Sequence, residues 1–281
     1  MAGTLYLCAT PIGNLEDITF RVLRTLKEVD LIAAEDTRNT IKLLNHFEIK
    51  TPMTSYHEYN KIDKAAYLVS KLSQGVNIAL VTDAGTPGIS DPGEEIVRQA
   101  YAAGIEVTSL PGACACITAL TLSGLSTRRF AFEAFLPSDK KERRKILDSL
   151  KTETRTIILY EAPHHLKTTL AQLFETLGDR RITLCRELTK VHETVQLMQL
   201  SEAVSYYDTT EPKGEYVLIL EGISQYYLDA KTQEAWEEMD LSEHMDIYLQ
   251  KGFSKKEAMK KVATDRGVSK REIYQKLLDK K

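Results

Sequence analysis

Short apolar runs alternate with helical patterns in the first 110 residues, and this alternation limits the fold more than any other feature of the sequence. It predicts strands at residues 4–9, 31–35, 77–82 and 105–110, and helices at residues 17–29, 39–47 and 94–103. Chains that alternate in this way form a mainly parallel sheet with helices packed on its faces.

A second alternation begins after Pro111 and Gly112, a pair that interrupts the chain before a helix rich in small residues. It predicts further strands at residues 129–135, 156–161, 181–187 and 215–220. We therefore expect an α/β protein with two α/β domains, an N-terminal domain over residues 1–111 and a second domain over residues 112–224.

The pattern after Gly222 is purely helical, and it predicts a helix-turn-helix-like unit over residues 238–281. Two S-x-x-E capping boxes begin at Ser254 and Ser269, and Gly267 lies between them as a turn. Residues 251–281 hold 11 Lys or Arg and 4 Asp or Glu, whereas the other 250 residues carry a net charge of −10. This asymmetry favours contact between the basic C-terminal residues and nucleic acid. The alternative is that these residues serve in packing or dimerisation.

The composition is that of a globular protein. Hydrophobic residues make up 43% of the chain and charged residues 27%. No apolar run approaches the roughly 18 residues that a transmembrane helix requires. The N-terminal residues lack the basic segment of a signal peptide, so we expect none. The four Cys form no C-x-x-C pair and lie in apolar surroundings, which predicts buried thiols and no metal.

The loop at residues 8–19 follows a predicted strand and precedes a predicted helix, which is where nucleotides bind in many α/β proteins. Thr10, Ile12 and Leu15 stand where a G-x-G-x-x-G turn needs glycine, and the sequence contains no G-x-x-x-x-G-K-[ST] loop. A ligand here would therefore be nucleoside-like and without phosphates. A plain tight turn explains the same residues.

The acidic segment 35–38, EDTR, ends the second predicted strand. Dinucleotide-binding sites have an acidic residue that binds the ribose about 20 residues after a turn of this kind. The position of segment 35–38 matches that spacing, so a dinucleotide remains one of the candidate ligands. An internal ion pair between Asp36 and Arg38 at the start of a helix is the alternative.

The loop at residues 82–93 is long, glycine-rich and acidic, and it follows a buried strand at the edge where ligands bind to parallel sheets. Asp83 and Asp91 offer carboxylates, and Thr86 and Ser90 offer hydroxyls. Three glycines let the backbone approach a ligand closely: Gly85, Gly88 and Gly93. The loop contains neither His nor Cys, which argues against a metal site. Its glycines and carboxylates favour a cationic or zwitterionic ligand over a phosphate.

Six motifs occur in order along the chain: ATPIGNLEDIT, EDTR, DAGTPGISDPG, LPGACACITAL, LYEAPHHL and CRELTK. Over essentially the whole chain, they resemble the ribosomal RNA small subunit methyltransferase I family, which has the tetrapyrrole-methylase fold of class III methyltransferases. The resemblance implies a cofactor cleft between two α/β domains and a small C-terminal helical unit. It also implies methyl transfer from S-adenosylmethionine to the ribose 2′-oxygen of a cytidine in the decoding region of small-subunit (16S) ribosomal RNA. The implied protein is a cytoplasmic homodimer that acts on RNA of the small ribosomal subunit, with no membrane partner.

The family's motifs carry over to positions that would bind the cofactor. The resemblance and the glycine-rich loop together assign contacts with S-adenosylmethionine to Ile12, Gly13, Asp83, Gly85, Thr86, Ile89, Ala115, Cys116, Tyr160, Cys185 and Tyr216. This cofactor has no phosphates, and its sulfonium and zwitterionic end suit a small, acidic loop. Residues 113–116, ACAC, depart from the commoner small-residue pattern, which is harmless if only their backbone makes contact.

The motif CRELTK supplies the candidate catalytic residues. Arg186 and Lys190 could hold phosphates of the target strand, and Glu187 could accept the proton of the ribose hydroxyl. A structural salt-bridge cluster is the alternative for all three. His164 and His165 face different ways on a helix, so we assign no metal to them.

The segment 138–145, SDKKERRK, is expected to be a basic loop beside the domain linker. It is a candidate second RNA contact, and a solvated helix face is the alternative.

Three other functions fit parts of the pattern. A small-molecule C-methyltransferase acting on a tetrapyrrole would keep the fold and change the acceptor, but it would need no basic tail. A NAD-dependent oxidoreductase would need the missing G-x-G-x-x-G turn. A non-catalytic RNA-binding assembly factor would bind RNA without turnover.

Overall fold

The computed structural model of the protein describes residues 1–279, and its first sheet is built from five parallel strands. These are β1 (Thr4–Cys8), β2 (Leu31–Ala34), β3 (Met53–Ser55), β4 (Ile78–Val81) and β5 (Glu106–Leu110). They pair in the order β3-β2-β4-β1-β5. The predicted parallel sheet is confirmed, and β3 adds a three-residue strand that the apolar pattern does not indicate.

Four helices cover this sheet: α1 (Phe20–Glu28), α2 (Thr37–His46), α3 (Lys61–Ser73) and α4 (Glu94–Ala102). Side-chain caps fix where two of them begin, since each cap satisfies an otherwise unpaired helix amide. Thr19 Oγ1 accepts a hydrogen bond from Val22 N at 3.2 Å, and Asp36 Oδ1 accepts one from Arg38 N at 2.8 Å. The first helix therefore begins later than predicted, after a separate 3-10 turn at Leu15–Asp17.

The second sheet also has five strands, but it is mixed. The strands are β6 (Phe130–Phe135), β7 (Thr156–Glu161), β8 (Arg181–Arg186), β9 (Thr194–Gln199) and β10 (Tyr216–Leu220), in the order β6-β7-β10-β8-β9. β6 and β7 are parallel, whereas β10 runs antiparallel to both β7 and β8, and β9 runs antiparallel to β8. The last strand thus inserts between two earlier ones, which the order of apolar runs does not indicate.

The helices around this sheet are α5 (Ala115–Leu122), α6 (Lys140–Leu150), α7 (Pro163–Leu177) and α8 (Leu200–Thr209). The expectation of a basic loop at residues 138–145 is wrong, because most of this segment forms the first turns of α6. Asp139 Oδ1 accepts hydrogen bonds from the backbone amides of Lys141 and Glu142, which starts the helix. Arg143 donates to side chains of α7, so this cation packs two helices together.

Both sheets belong to one compact unit, which contains Met1–Leu150 and Arg155–Glu221. The predicted boundary between residues 111 and 112 falls between β5 and α5. The predicted domain limits are not tested by this arrangement and stay predictions. Among residues 1–279, none of the helices has the length and apolarity that crossing a bilayer requires.

A second unit contains the residues from Gly222 onward together with Lys151–Thr154. Its helices are α9 (Gln225–Glu238), α10 (Leu241–Gln250), α11 (Lys255–Asp265) and α12 (Lys270–Asp279). Lys280 and Lys281 of the predicted tail lie outside the described residues. We call this second unit the tail unit.

The two predicted capping boxes of the tail unit are confirmed. Ser254 and Glu257 exchange side-chain and backbone hydrogen bonds at the start of α11, and Ser269 and Glu272 do so at the start of α12. Gly267 adopts a φ of +62° between these helices, a conformation that glycine adopts without steric cost. The helices of the tail unit pack around an apolar core of Leu241, Met245, Ala258, Val262, Ala263 and Ile273, with Val268 and Leu277 against it.

Candidate active site

A cavity of about 290 Å³ is lined by residues from one edge of each sheet in the first unit, and we call it the central cavity. The carboxyl ends of β1, β2 and β4 share an edge because these strands are parallel. In the second sheet, Tyr216 pairs with Glu161 and Arg186, and Phe135 pairs with Tyr160. Ligands of α/β proteins bind beyond the carboxyl ends of strands, so the central cavity is the candidate active site.

Three carboxylates, Glu35, Asp83 and Asp91, line part of the central cavity. Glu35 Oε2 accepts a hydrogen bond from Thr82 Oγ1 at 2.6 Å, and Asp83 Oδ2 accepts one from Asn39 Nδ2 at 3.1 Å. Burial, assisted by the neighbouring charges of Glu35 and Asp83, raises the pKa of Asp91 to about 6. These groups form a wall that a cation would stabilise, because an opposite charge relieves their mutual repulsion.

The other acid of segment 35–38 has a local role. Asp36 Oδ2 forms an ion pair with Arg38 Nη2 at 2.6 Å, and the Asp36 carboxylate also caps α2. The Arg38 guanidinium holds the pKa of the Asp36 carboxyl at about 2. Of the two explanations for EDTR, the ion pair at a helix start therefore describes Asp36, whereas Glu35 lies at the cavity.

Glycines shape the loop that follows β4. Gly85 has a φ of +85° and exchanges two backbone hydrogen bonds with Thr10, at 2.9 and 3.0 Å. A Cβ on Gly85 would lie 3.2 Å from Ile12 Cγ2, which is at the cavity. A Cβ on Gly93 would lie 2.7 Å from the Cα of Gly88, so these two glycines allow the loop to pack on itself.

The start of α5 brings two thiols together beside the central cavity. Cys114 lines the cavity, and its Sγ lies 3.4 Å from Sγ of the buried Cys116. The hydrogen bond from the Cys116 thiol lowers the pKa of the Cys114 thiol, against the opposing effect of burial. The backbone N–H of Cys116 donates to the hydroxyl of Tyr160 at 3.1 Å, and the ring of Phe135 packs edge-on against Tyr160.

Glu187 and Lys190 form an ion pair that also lines the cavity. Glu187 has a φ of +51°, and its Oε1 accepts hydrogen bonds from Glu215 N at 3.0 Å and from Lys190 Nζ at 3.1 Å. Burial acts to raise the pKa of Glu187, but the amide of Glu215 and the ammonium of Lys190 outweigh it and lower the pKa. A Cβ on Gly13 would lie 2.4 Å from Lys190 Cγ, so the loop after β1 packs against this pair.

Most of the predicted site residues line the central cavity. They are Ile12, Asp83, Gly85, Thr86, Ile89, Ala115, Tyr160, Cys185 and Tyr216 among the expected cofactor contacts, and Glu187 and Lys190 among the expected catalytic residues. Gly13 lines a neighbouring cavity, and Cys116 is buried behind the wall. Arg186 does not line the cavity, and its Nη2 donates to the backbone carbonyl of His192 at 3.2 Å. The contacts of all these residues with a ligand stay predictions.

Sequence reasoning missed five lining residues that come from the second sheet and its loops: Phe135, Glu161, Leu188, Glu215 and Val217. Phe135 and Glu161 end β6 and β7, so the rule that ligands bind at the carboxyl ends of strands could have found them. Glu215 and Val217 lie at the start of β10, and they reach the cavity because β10 runs antiparallel to its neighbours.

Comparison with known proteins identifies the class first. A profile of the family described as Tetrapyrrole (Corrin/Porphyrin) Methylases matches residues 4–204. Uroporphyrin-III-C-methyltransferase from Thermus thermophilus superposes with a TM-score of 0.56 at 20% identity, over 78% of this chain and 94% of that one. Diphthine synthase gives a TM-score of 0.61 at 15% identity, over 78% and 90%. Structural likeness at such identities shows the fold alone, and with the family profile it defines an S-adenosylmethionine-dependent methyltransferase of the tetrapyrrole-methylase class.

Relatives of higher identity then identify the family within this class. Proteins named Ribosomal RNA small subunit methyltransferase I are 52% identical in Halalkalibacterium halodurans and 50% identical in Bacillus subtilis, each over 97% of this chain and 93% of the relative. The protein of that name from Synechocystis is 47% identical over 99% of this chain and 98% of the relative. The chain belongs to the ribosomal RNA small subunit methyltransferase I family.

The residues of the central cavity fit S-adenosylmethionine. The wall of three carboxylates suits a sulfonium cation and an ammonium group, and Phe135 and Tyr160 offer aromatic surface. The volume of about 290 Å³ is close to the lower end, roughly 300 Å³, of cavities that bind small molecules. The donor set therefore matches a cationic ligand without phosphates, as the loops of the first sheet predict.

Proposed function

We propose that the chain transfers a methyl group from S-adenosylmethionine to the ribose 2′-oxygen of a cytidine in the decoding region of small-subunit (16S) ribosomal RNA. The observation that carries this proposal is the similarity, over 97% or more of the chain, to three relatives named for methylation of small-subunit ribosomal RNA. That similarity extends into residues 251–281, the basic part of the tail unit, which a small acceptor would not require. The acidic wall of the central cavity supports the choice of methyl donor.

We assign the binding of the donor to the residues of the central cavity predicted for it. When bound, S-adenosylmethionine supplies an electrophilic methyl group on a sulfonium sulfur. Methyl transfer is an in-line displacement, so the main task of the chain is to align the attacking oxygen, and positioning of this kind supplies much of the rate. The bridge between Thr10 and Gly85 joins the loops after β1 and β4, which fixes these two parts of the site relative to each other.

The Glu187–Lys190 pair suggests how the ribose hydroxyl loses its proton. A carboxylate with a lowered pKa is a weaker proton acceptor than an ordinary one, and Glu187 is already engaged by Glu215 N and Lys190. We therefore propose that Glu187 positions Lys190, and that the Lys190 ammonium stabilises negative charge as it develops on the ribose oxygen. In this assignment, a water molecule accepts the proton of the ribose hydroxyl.

We also propose that the substrate is the RNA within the small ribosomal subunit, and that the protein acts in the cytoplasm as a homodimer. Exposed apolar side chains near the edge strand β9 support self-association, since Leu197 is 63% exposed and Val191 is 96% exposed. Sedimentation of the purified protein tests the dimer, and a single species with the mass of one chain would contradict it.

Mapping of methylated riboses tests the proposed reaction. A 2′-O-methyl group removes the nucleophile that cleaves RNA in alkali, so each methylated ribose leaves a gap in an alkaline cleavage ladder. Small-subunit RNA from cells that lack the protein should lose one such gap, at a cytidine, and expression of the full chain should restore it. An unchanged ladder would contradict the proposal, and methylation of a tetrapyrrole by the purified protein would favour the small-molecule alternative.

A further inference from the structure

A second cavity of about 360 Å³ lies beside the central cavity, and we call it the α2 cavity. Both cavities are lined by Asp83, so they adjoin at that carboxylate. The loop after β1 contributes to both, because Ile12 lines the central cavity and Gly13 lines the α2 cavity. A group held in the α2 cavity would therefore lie next to the site proposed for the methyl donor.

The walls of the α2 cavity combine apolar surface with hydrogen-bonding groups. Pro11, Leu15 and Leu43 supply apolar contact, and Asn39 supplies an amide. His46 adds an exposed imidazole, which lies perpendicular to the ring of Phe47 at a centroid distance of 4.7 Å. Proteins recognise unpaired RNA nucleotides by this combination of a stacking surface with nearby polar groups.

A row of basic side chains follows the same helix. Arg38, Lys42 and His46 are spaced four residues apart, which places them on one face of α2 over about 12 Å. Lys42 is exposed, and its Nζ has only a long contact of 3.5 Å to Asn39 Oδ1, so it retains donors for a phosphate. Because Asp36 already pairs with Arg38, Lys42 is the cation of this row that can contact a phosphate.

We propose that the α2 cavity receives one unpaired nucleotide of the RNA acceptor strand, with Lys42 on its phosphate and His46 stacked on its base. This inference rests on the proposed function and names the part of the chain that holds the acceptor. The cavity has no glycine-rich phosphate loop, so a free nucleotide would lack the cradle that it needs. A strand that other contacts already hold requires only one phosphate contact here, which Lys42 can supply.

Kinetics with small ribosomal subunits test the inference. Lys42→Gln should raise KM for the subunit roughly tenfold, because it removes a charge-assisted contact, and should make the salt dependence shallower by about 0.7 in the log–log slope. Lys50→Gln is the matched control, since Lys50 is also exposed, carries the same charge and does not line either cavity. The dissociation constant for S-adenosylmethionine should be the same in both variants and in the wild type.

Stacking gives a second, independent measurement. His46→Ala should raise KM for the subunit, whereas His46→Phe should keep it near the wild-type value because a phenyl ring can still stack on a base. If the wild type methylates the subunit but Lys42→Gln matches Lys50→Gln, and His46→Ala matches His46→Phe, the α2 cavity does not hold the acceptor. Failure of the wild type to methylate RNA would instead contradict the proposed function itself.

Discussion

Asp91 shows how the central cavity changes the chemistry of a single side chain. Burial and the charges of Glu35 and Asp83 raise its pKa from 3.8 to about 6, and a hydrogen bond with Thr82 acts in the opposite direction. A cation bound nearby favours the ionised carboxylate, so binding and deprotonation of Asp91 are linked.

We expect the affinity for S-adenosylmethionine to weaken as the pH falls below about 6. Below that pH, Asp91 is protonated in the free protein and must lose its proton for the cation to bind well, which lowers the affinity by up to about tenfold per pH unit. Calorimetry between pH 5 and 8 measures the effect. Asp91→Asn should remove this dependence, and an equally steep pH dependence in Asp91→Asn would contradict the assignment.

The same substitution should stabilise the ligand-free protein at neutral pH. Because the pKa of Asp91 is higher in the folded chain than its unfolded value of about 3.9, ionisation of Asp91 opposes folding as the pH rises through 4 to 6. Asp91→Asn should therefore raise Tm at pH 7 and change it little at pH 3.5. A lower Tm at pH 7 would show that the hydrogen bond with Thr82 outweighs the cost of burying the charge.

The roles that we propose for Lys190 and Glu187 differ from those that the motif alone predicts, because Lys190 stabilises the developing charge and Glu187 positions Lys190. If Lys190 stabilises the developing charge, Lys190→Met should lower kcat by roughly 10²-fold. Glu187→Gln keeps an oxygen that can accept from Lys190 Nζ and Glu215 N, so its kcat should fall less than about tenfold. A larger loss in Glu187→Gln than in Lys190→Met would restore Glu187 as the proton acceptor.

At the scale of elements, the loop after β4 depends on the backbone of Gly85. An alanine there would have to adopt a φ of +85°, and its Cβ would press on Ile12 at 3.2 Å. Gly104 provides a matched control, since its φ is +69° and an added Cβ would meet nothing within 4 Å. Both Gly85→Ala and Gly104→Ala should cost about 1 kcal/mol of stability from the left-handed conformation.

Only Gly85→Ala should also weaken binding of S-adenosylmethionine, because only it displaces a residue of the central cavity. Thermal melting and calorimetry on the two variants separate the two effects. Equal cofactor affinity in Gly85→Ala and Gly104→Ala would remove this loop from the cofactor site.

The sequence predicts the first sheet well because each of its central strands is a run of apolar residues between helices. β9 is missed because Gln196 and Gln199 interrupt its apolar residues and none of its side chains is fully buried, so it forms no apolar run. The cavity residues at the start of β10 are missed for a different reason. Their position depends on the direction in which β10 inserts between β7 and β8, and strand direction is a property of the assembled sheet.

For the molecule as a whole, the tail unit contains α9 as well as the three helices that follow it. Trp236 of α9 stacks on the buried His244 at a centroid distance of 4.1 Å, and Gln233 Nε2 donates to the backbone carbonyl of Arg266 at 3.3 Å. Arg266 Nε donates to His244 Nδ1, so His244 Nε2 carries the proton and donates to Asp265. A truncation at residue 241 would remove His244, on which Trp236 stacks. A variant that lacks the tail should therefore be deleted from residue 224 onward.

Deletion of residues 224–281 should preserve binding of S-adenosylmethionine and weaken binding of the small subunit. Each phosphate contact that is lost should make the salt dependence of binding shallower by about 0.7 to 0.9. Full-length protein with the exposed Lys255, Lys256 and Arg271 changed to Gln should show the same trend while keeping the tail folded. Equal affinity and equal salt dependence in all three proteins would assign the tail to packing or dimerisation.

One measurement tests the central claim most directly. The purified full-length protein is incubated with S-adenosylmethionine labelled in its methyl group and with small ribosomal subunits from cells that lack the protein, and the RNA is digested to nucleosides. We expect the label in 2′-O-methylcytidine, approaching one methyl group per subunit at completion. Label in a base-methylated nucleoside, or no transfer by protein that binds S-adenosylmethionine, would contradict the account.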